Sequence, residues 1–280
     1  MSDGFKAGVK TATYYLLLYL LFYVLLFGLR SLYGHPQFEP FNVSIAPWYL
    51  LALAIFIGSL PLVASAEHGA KLVIPLTIAI SVLAGFDANV GPFMTFGRLI
   101  NFAPFYYAGF YLEIGSFTET IRRLKIRPIC YLLAVGVLIA AFVVVYLLPN
   151  TYSEALLRLS SGYRPYEKCG DVALPVLVAL RFAWFAIATV LGMCVCVLVP
   201  EKKCVVSDLG TRTLQVYILH VFVYYALNGF GIMKAFAQLR IPYQDLMVIM
   251  LAVILAVLLA IPQAPANFFA WMKRAVSKWM

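Results

Sequence analysis

The chain has 280 residues, 64% of them hydrophobic and 12% charged, with a formal net charge of +9 and a mean hydropathy of +0.92. A soluble globular chain carries about 45–50% apolar and about 25% charged residues, so this composition excludes an ordinary water-soluble domain and sets apolar surface against lipid. The positive charge does not point to nucleic acid: the basic residues lie in short segments between apolar runs, where they orient spans and meet anionic headgroups.

In chain order, eight apolar runs are predicted to be helices: residues 12–29, 45–63, 72–86, 99–114, 129–148, 173–199, 214–232 and 246–261. A span needs roughly 20 apolar residues as a helix, because lipid cannot pair a backbone N–H or C=O. Proline punctuates the pattern: Pro47 opens the second run, and Pro149, Pro200 and Pro262 close the fifth, sixth and eighth. The fourth run is short and holds Asn101 and Pro104. Residues 150–171 read as a loop, and the whole chain as one domain without repeats.

The expected fold class is therefore all-α, a polytopic transmembrane helical bundle of about eight spans. Lys and Arg number 13 on the side of the N-terminus and 7 on the other, with Arg181 inside a span. That bias places both ends in the cytoplasm of a cell whose inner (plasma) membrane the chain crosses. In the tail, residues 264–280, Phe268, Trp271, Met272, Ala275 and Trp279 share one helical face while Lys273, Arg274 and Lys278 lie off it. This fits a helix in the headgroup plane or a frayed basic end. Five cysteines (Cys130, Cys169, Cys194, Cys196, Cys204) show no metal spacing and are read as free thiols, with Cys169 outside and Cys204 inside.

Few polar residues could carry chemistry. Arg181, about eight residues into the sixth run, either lines a polar cavity or snorkels to the outer headgroups. His220, mid-way along the seventh run, is either an interhelical hydrogen-bonding group or a proton-transfer residue. His35 and His68 stand in loops without companions. The cluster Arg122, Arg123, Lys125 and Arg127 is either topogenic or a clamp for the phosphates of a cytoplasmic cofactor. Walker-type glycine loops, H-E-x-x-H, paired aspartates and G-x-S-x-G are absent, and no metal site is expected.

Three stretches carry a resemblance. Pro47-Trp48-Tyr49-Leu50-Leu51-Ala52-Leu53 opens the second run. Residues 97–109, GRLINFAPFYYAG, set Arg98 before an F-x-P-F-aromatic-x-x-G pattern. Residues 209–220, LGTRTLQVYILH, match L-G-x-x-[ST]-L-x-x-Y-x-x-H and end on His220. In this order the three resemble the acyltransferase-3 family of integral membrane O-acyltransferases, in particular its fucose 4-O-acetylase-like branch, over about residues 5–265.

The resemblance implies transfer of an acyl group, usually acetyl from acetyl-CoA as donor, to a hydroxyl of a sugar or cell-envelope glycan, with no bound cofactor. It implies Arg98 and Arg181 as binding or charge-stabilising groups, Trp48 and Tyr217 as cavity walls, and His220 as a structural or supporting group. Family members normally begin with two further spans, the first carrying the histidine held to act in transfer. The expectation is therefore that the catalytic residue is not among these 280 residues and that they alone transfer no acetyl group. A non-catalytic subunit or pseudoenzyme binding glycan or lipid is the competing reading. A small-solute transporter is a third, without the paired interrupted halves typical of that class.

Overall fold

The structure, a computed structural model, describes residues 3–34, 36–42, 47–65, 69–90, 93–112, 114–162, 164–200, 202–203, 205–238 and 244–279. His35, His68, Cys204 and Arg240 lie outside the described residues. Among those described there are 13 α-helices, one 3-10 turn and no strand. Each of the eight apolar runs is a helix, and the all-α membrane fold class stands. Three helices are long and apolar enough to cross a membrane, or four if one bent pair counts as a single span. The chain divides into two compact units, Met1–Gly58 with Lys202–Met280, and Ser59–Glu201.

The first unit holds α1 (Asp3–Ser31), the start of α2 (Trp48–Ala64), α9 (Val205–Gly210), α10 (Thr213–Gly229), α11 (Ile232–Gln238), α12 (Gln244–Ala260) and α13 (Gln263–Trp279). Its core joins Tyr14, Leu18, Tyr19 and Phe22 of α1 to Leu50 and Leu51 of α2, Ile218 of α10, and Phe269 and Val276 of α13. The spacings 14, 18, 22 and 269, 276 are helical repeats, so each helix turns one stripe to the same centre. Fully burying such a side chain is worth about 1.5–3 kcal/mol.

α12 and α13 meet at a bend of 60°, because Pro262 cannot continue the hydrogen-bond ladder. The break frees carbonyls that lipid would leave bare. Gln215 of α10 donates from Nε2 to Leu259 O (2.6 Å) and Pro262 O (2.9 Å), and Arg212 Nη1 donates to Ala260 O (2.8 Å) and Ile261 O (2.7 Å). The tail is thus helical from Gln263, with Phe269 and Val276 buried and Trp271 and Trp279 exposed. Met272, expected beside Trp271 and Trp279, instead packs against the core.

The second unit holds the end of α2, α3 (Gly69–Ala84), α4 (Phe96–Tyr111), α5 (Ile114–Lys125), α6 (Pro128–Leu147), α7 (Asn150–Ser160), a 3-10 turn (Tyr166–Lys168) and α8 (Leu174–Leu198). Tyr107 and Tyr111 of α4 bind α2 through Ser59 Oγ (2.8 Å) and Val63 O (2.9 Å). Two expectations change here. Residues 150–171 are not a loop throughout: Ala155 and Leu159, four apart, are wholly buried with Leu177 of α8, and that apolar stripe makes α7 a helix. The helix of the fourth run ends at Tyr111, and Ile114, the run's expected last residue, instead opens the separate α5, which carries Arg122, Arg123 and Lys125.

Candidate functional site

The buried polar groups of the second unit gather where α3, α4, α8 and the 161–173 segment meet. Phe105 of α4 and Phe185 of α8 lie with ring centroids 5.7 Å apart. One turn earlier on each helix stand Asn101, wholly buried, and Arg181, 3% exposed. Asn101 Oδ1 accepts from Ser81 Oγ of α3 at 3.1 Å, and its Nδ2 has no hydrogen-bond partner among the described residues. Thr95, just before α4, is buried in a left-handed backbone conformation (φ 59°), and its hydroxyl also lacks a partner.

Arg181 Nε and Nη1 likewise have no hydrogen-bond partner among the described residues, nor does the indole N–H of Trp184 one turn on. The guanidinium carbon lies 5.3 Å from the centroid of the Tyr166 ring. That ring is held by its own bonds: Tyr166 Oη donates to Val82 O (2.9 Å), and its backbone N–H to Gly85 O (2.7 Å). Gly85 is required at the crossing, since a Cβ there would stand 2.4 Å from both Arg181 Nη1 and the Tyr166 ring. Gly162, at φ 78°, lies against Asn101 in the same way: a Cβ there would stand 3.0 Å from Nδ2.

The electrostatics are unbalanced. Burying a guanidinium without a counter-ion costs several kcal/mol. A cation–π contact returns about 0.5–2 kcal/mol, and the carbonyl end of α3 about 0.3–1 kcal/mol. Both are smaller than that cost, and Nε and Nη1 stay without a hydrogen-bond partner among the described residues. Burial raises the Tyr166 phenol above its ordinary value, and Arg181 opposes this. Burial likewise raises the Cys169 thiol, against the opposing charges of Arg181, Arg158 and Arg164.

The other residues singled out in the sequence fall as follows. Arg98 is half-buried in the first turn of α4. Trp48, Tyr217 and His220 belong to the first unit. The Trp48 and Tyr49 rings are 5.8 Å apart, Tyr49 and Tyr217 5.6 Å, and Tyr217 and His220 6.0 Å, forming an aromatic row. Tyr217 Oη accepts from the Tyr49 backbone N–H at 3.2 Å. His220 is exposed, and its Nδ1 lies 3.0 Å from Val216 O. A carbonyl can only accept, so Nδ1 carries the proton and a neutral ring keeps its lone pair on Nε2.

The basic cluster is spread along α5 and the start of α6. Arg123 pairs with Glu119 at 3.0 Å, Lys125 Nζ donates to Val199 O at 2.5 Å at the end of α8, and Arg122 and Arg127 are exposed. Cys169 is wholly buried, with Sγ 3.3 Å from Pro165 O. An outer thiol reagent therefore cannot read topology there, contrary to what its loop position suggested. Nothing local singles out Ser81, Gly85 or Tyr166; for Asn101 the signal was a carboxamide inside an apolar run.

An all-helical chain whose apolar helices enclose Asn101 and Arg181 is a helical membrane protein. The acyltransferase-3 family, described as an acyltransferase domain, matches residues 2–262, and the chain belongs to it. The matched region ends at Pro262, so α13 lies beyond it while supplying Phe269 and Val276 to the core. No curated protein and no solved structure matches the chain.

Proposed function

We propose that the chain is a membrane O-acyltransferase of the fucose 4-O-acetylase-like branch. It takes acetyl from acetyl-CoA and places it on a hydroxyl of a sugar or cell-envelope glycan, as a multi-pass protein of the inner membrane. The observation that carries this reading is Arg181, whose Nε and Nη1 are buried and without a hydrogen-bond partner among the described residues, in a chain of this family.

The chemistry asks for such a group. The acceptor hydroxyl attacks the thioester carbonyl carbon, its proton passes to a base, and negative charge develops on the carbonyl oxygen. The C–S bond then breaks and CoA leaves as the thiol. Preorganised N–H donors at the developing oxyanion, in a water-poor interior, are worth about 10²–10³ in rate each. Arg181 supplies two, steadied by Tyr166 beneath it. Arg98 is a further binding or charge-stabilising group, and Arg122, Arg123, Lys125 and Arg127 serve the donor's phosphates from the cytoplasmic side. Trp48 and Tyr217 offer flat faces to a sugar ring. The base is unassigned; His220 Nε2, to whose ring no carboxylate among the described residues is bonded, becomes the group to test if these residues alone transfer acetyl.

Membranes of the cells that make this protein, given radiolabelled acetyl-CoA, should release CoA thiol and label membrane glycan above membranes of the same cells with its gene deleted. Arg181→Met should lose at least a hundredfold of that activity. Absence of release above the control would overturn the transferase reading and favour a non-catalytic glycan- or lipid-binding subunit.

A further inference from the structure

The first unit contains a cavity apart from the aromatic row of Trp48, Tyr217 and His220. It opens at the end of α1 and the end of α10, with a volume of about 290 Å³. Arg30, in the last turn of α1, lies with its guanidinium carbon 5.5 Å from the centroid of the Tyr225 ring. Tyr33 forms another wall. Its ring is edge-on to Phe230 at 5.4 Å and lies so close to Gly229 that a Cβ there would meet it at 2.5 Å. Asn228 adds a carboxamide, and no acidic side chain lines the space among the described residues.

We infer that the acceptor of the proposed transfer is an acidic saccharide and that this cavity binds one of its rings, a ring carrying a carboxylate, while Trp48 and Tyr217 face the ring that receives the acyl group. The inference rests on the acyltransferase reading for the word acceptor, and on the cavity alone for the ligand's chemistry. The volume is at the small end of ligand sites, suited to a ring or two and far short of a nucleotide thioester. A guanidinium stacked on an aromatic face still presents its N–H edge, which matches a carboxylate in bidentate fashion. Two aromatic faces give a sugar's C–H surface something to cover, and the Asn228 amide can both donate to and accept from hydroxyls. A bare anion or a lipid headgroup would use the charge and leave both rings idle.

The placement also suits access. Arg30 falls on the side with fewer basic residues, the outer side by the charge bias, where envelope glycan is found. Gly229 sets the wall: any larger residue would drive the Tyr33 ring inward and fill the space without touching the charge.

The test is direct binding, which needs no turnover and so fails or succeeds apart from the transferase reading. The full chain in phosphatidylcholine nanodiscs is titrated with glucuronic acid, methyl glucoside and inorganic phosphate, followed by calorimetry or saturation-transfer NMR. Glucuronic acid should bind at least tenfold more tightly than either of the others. Arg30→Met should remove that preference, and Gly229→Ala should weaken both sugars together. If Arg30→Met does not fold, Asn228→Leu on the exposed rim replaces it and should weaken both sugars. Equal binding of the two sugars would overturn the inference. So would phosphate binding as tightly as glucuronic acid, or displacement of the acid when phosphatidylglycerol replaces the neutral lipid, since either result would mark an anion or headgroup site.

Discussion

The guanidinium of Arg181 lies 5.3 Å from the centre of the Tyr166 ring, at a crossing where only Gly85 leaves them room. The aromatic ring is thus the support of a buried cation whose Nε and Nη1 find no hydrogen-bond partner among the described residues. Stability and function should separate there. Arg181→Met removes an unbalanced buried charge and keeps much of the apolar stem, so the melting temperature in detergent should hold or rise while acyl transfer falls. A parallel loss of both would mean the arginine is structural.

Tyr166→Phe keeps the ring and deletes the hydroxyl that binds Val82 O. Val82 O keeps the Gly85 N–H at 3.2 Å, so the change removes one hydrogen bond, at a cost of about 0.5–1.5 kcal/mol. Denaturation of the detergent-solubilised protein should show that loss, with a smaller effect on transfer than Arg181→Met produces.

Two glycine substitutions should diverge. Gly85→Ala puts a methyl group 2.4 Å from Arg181 Nη1 and the Tyr166 ring, whereas Gly109→Ala, within α4, meets nothing within 4 Å. Overpacking costs about 1–3 kcal/mol, while an added alanine in an open helical position gains up to about 1 kcal/mol. Melting curves should therefore move in opposite directions. Equal shifts would remove Gly85 from the account of the site.

Alkaline pH should act through Cys169. Its buried thiol holds its proton above the ordinary value of 9.0, so between that value and the raised one the unfolded chain binds fewer protons than the folded chain. Stability then falls as pH climbs past 9. Comparing the melting temperatures of the native chain and Cys169→Ala across pH 7.5–10 should show a steeper decline in the native chain. Identical slopes would exclude this thiol.

Topology needs introduced thiols, because Cys169 is buried. Lys168 and Lys202 are exposed and bracket α8. In a cysteine-free background, a membrane-impermeant maleimide applied to intact cells should label Lys168→Cys and spare Lys202→Cys. The reverse pattern would invert the orientation given by the charge bias.

Composition and hydropathy by themselves determined the membrane class, the eight apolar helices and the Pro262 stop, because lipid penalises every unpaired backbone group whatever the tertiary arrangement. Arg181 was legible for the same reason: a charge in an apolar run stands out at any position. What α7 and the 3-10 turn do was not legible, since their hydrophobic stripe of Ala155 and Leu159 is short and finds its meaning only against Leu177. The basic run at 122–127 read as one patch, yet folding spread it along a helix and gave Arg123 to Glu119 and Lys125 to the end of α8. The support of Arg181 was decided by tertiary structure alone. Gly85, Tyr166 and Arg181 are far apart in sequence, and no local periodicity records that a missing Cβ in one lets a ring and a cation meet in the other two.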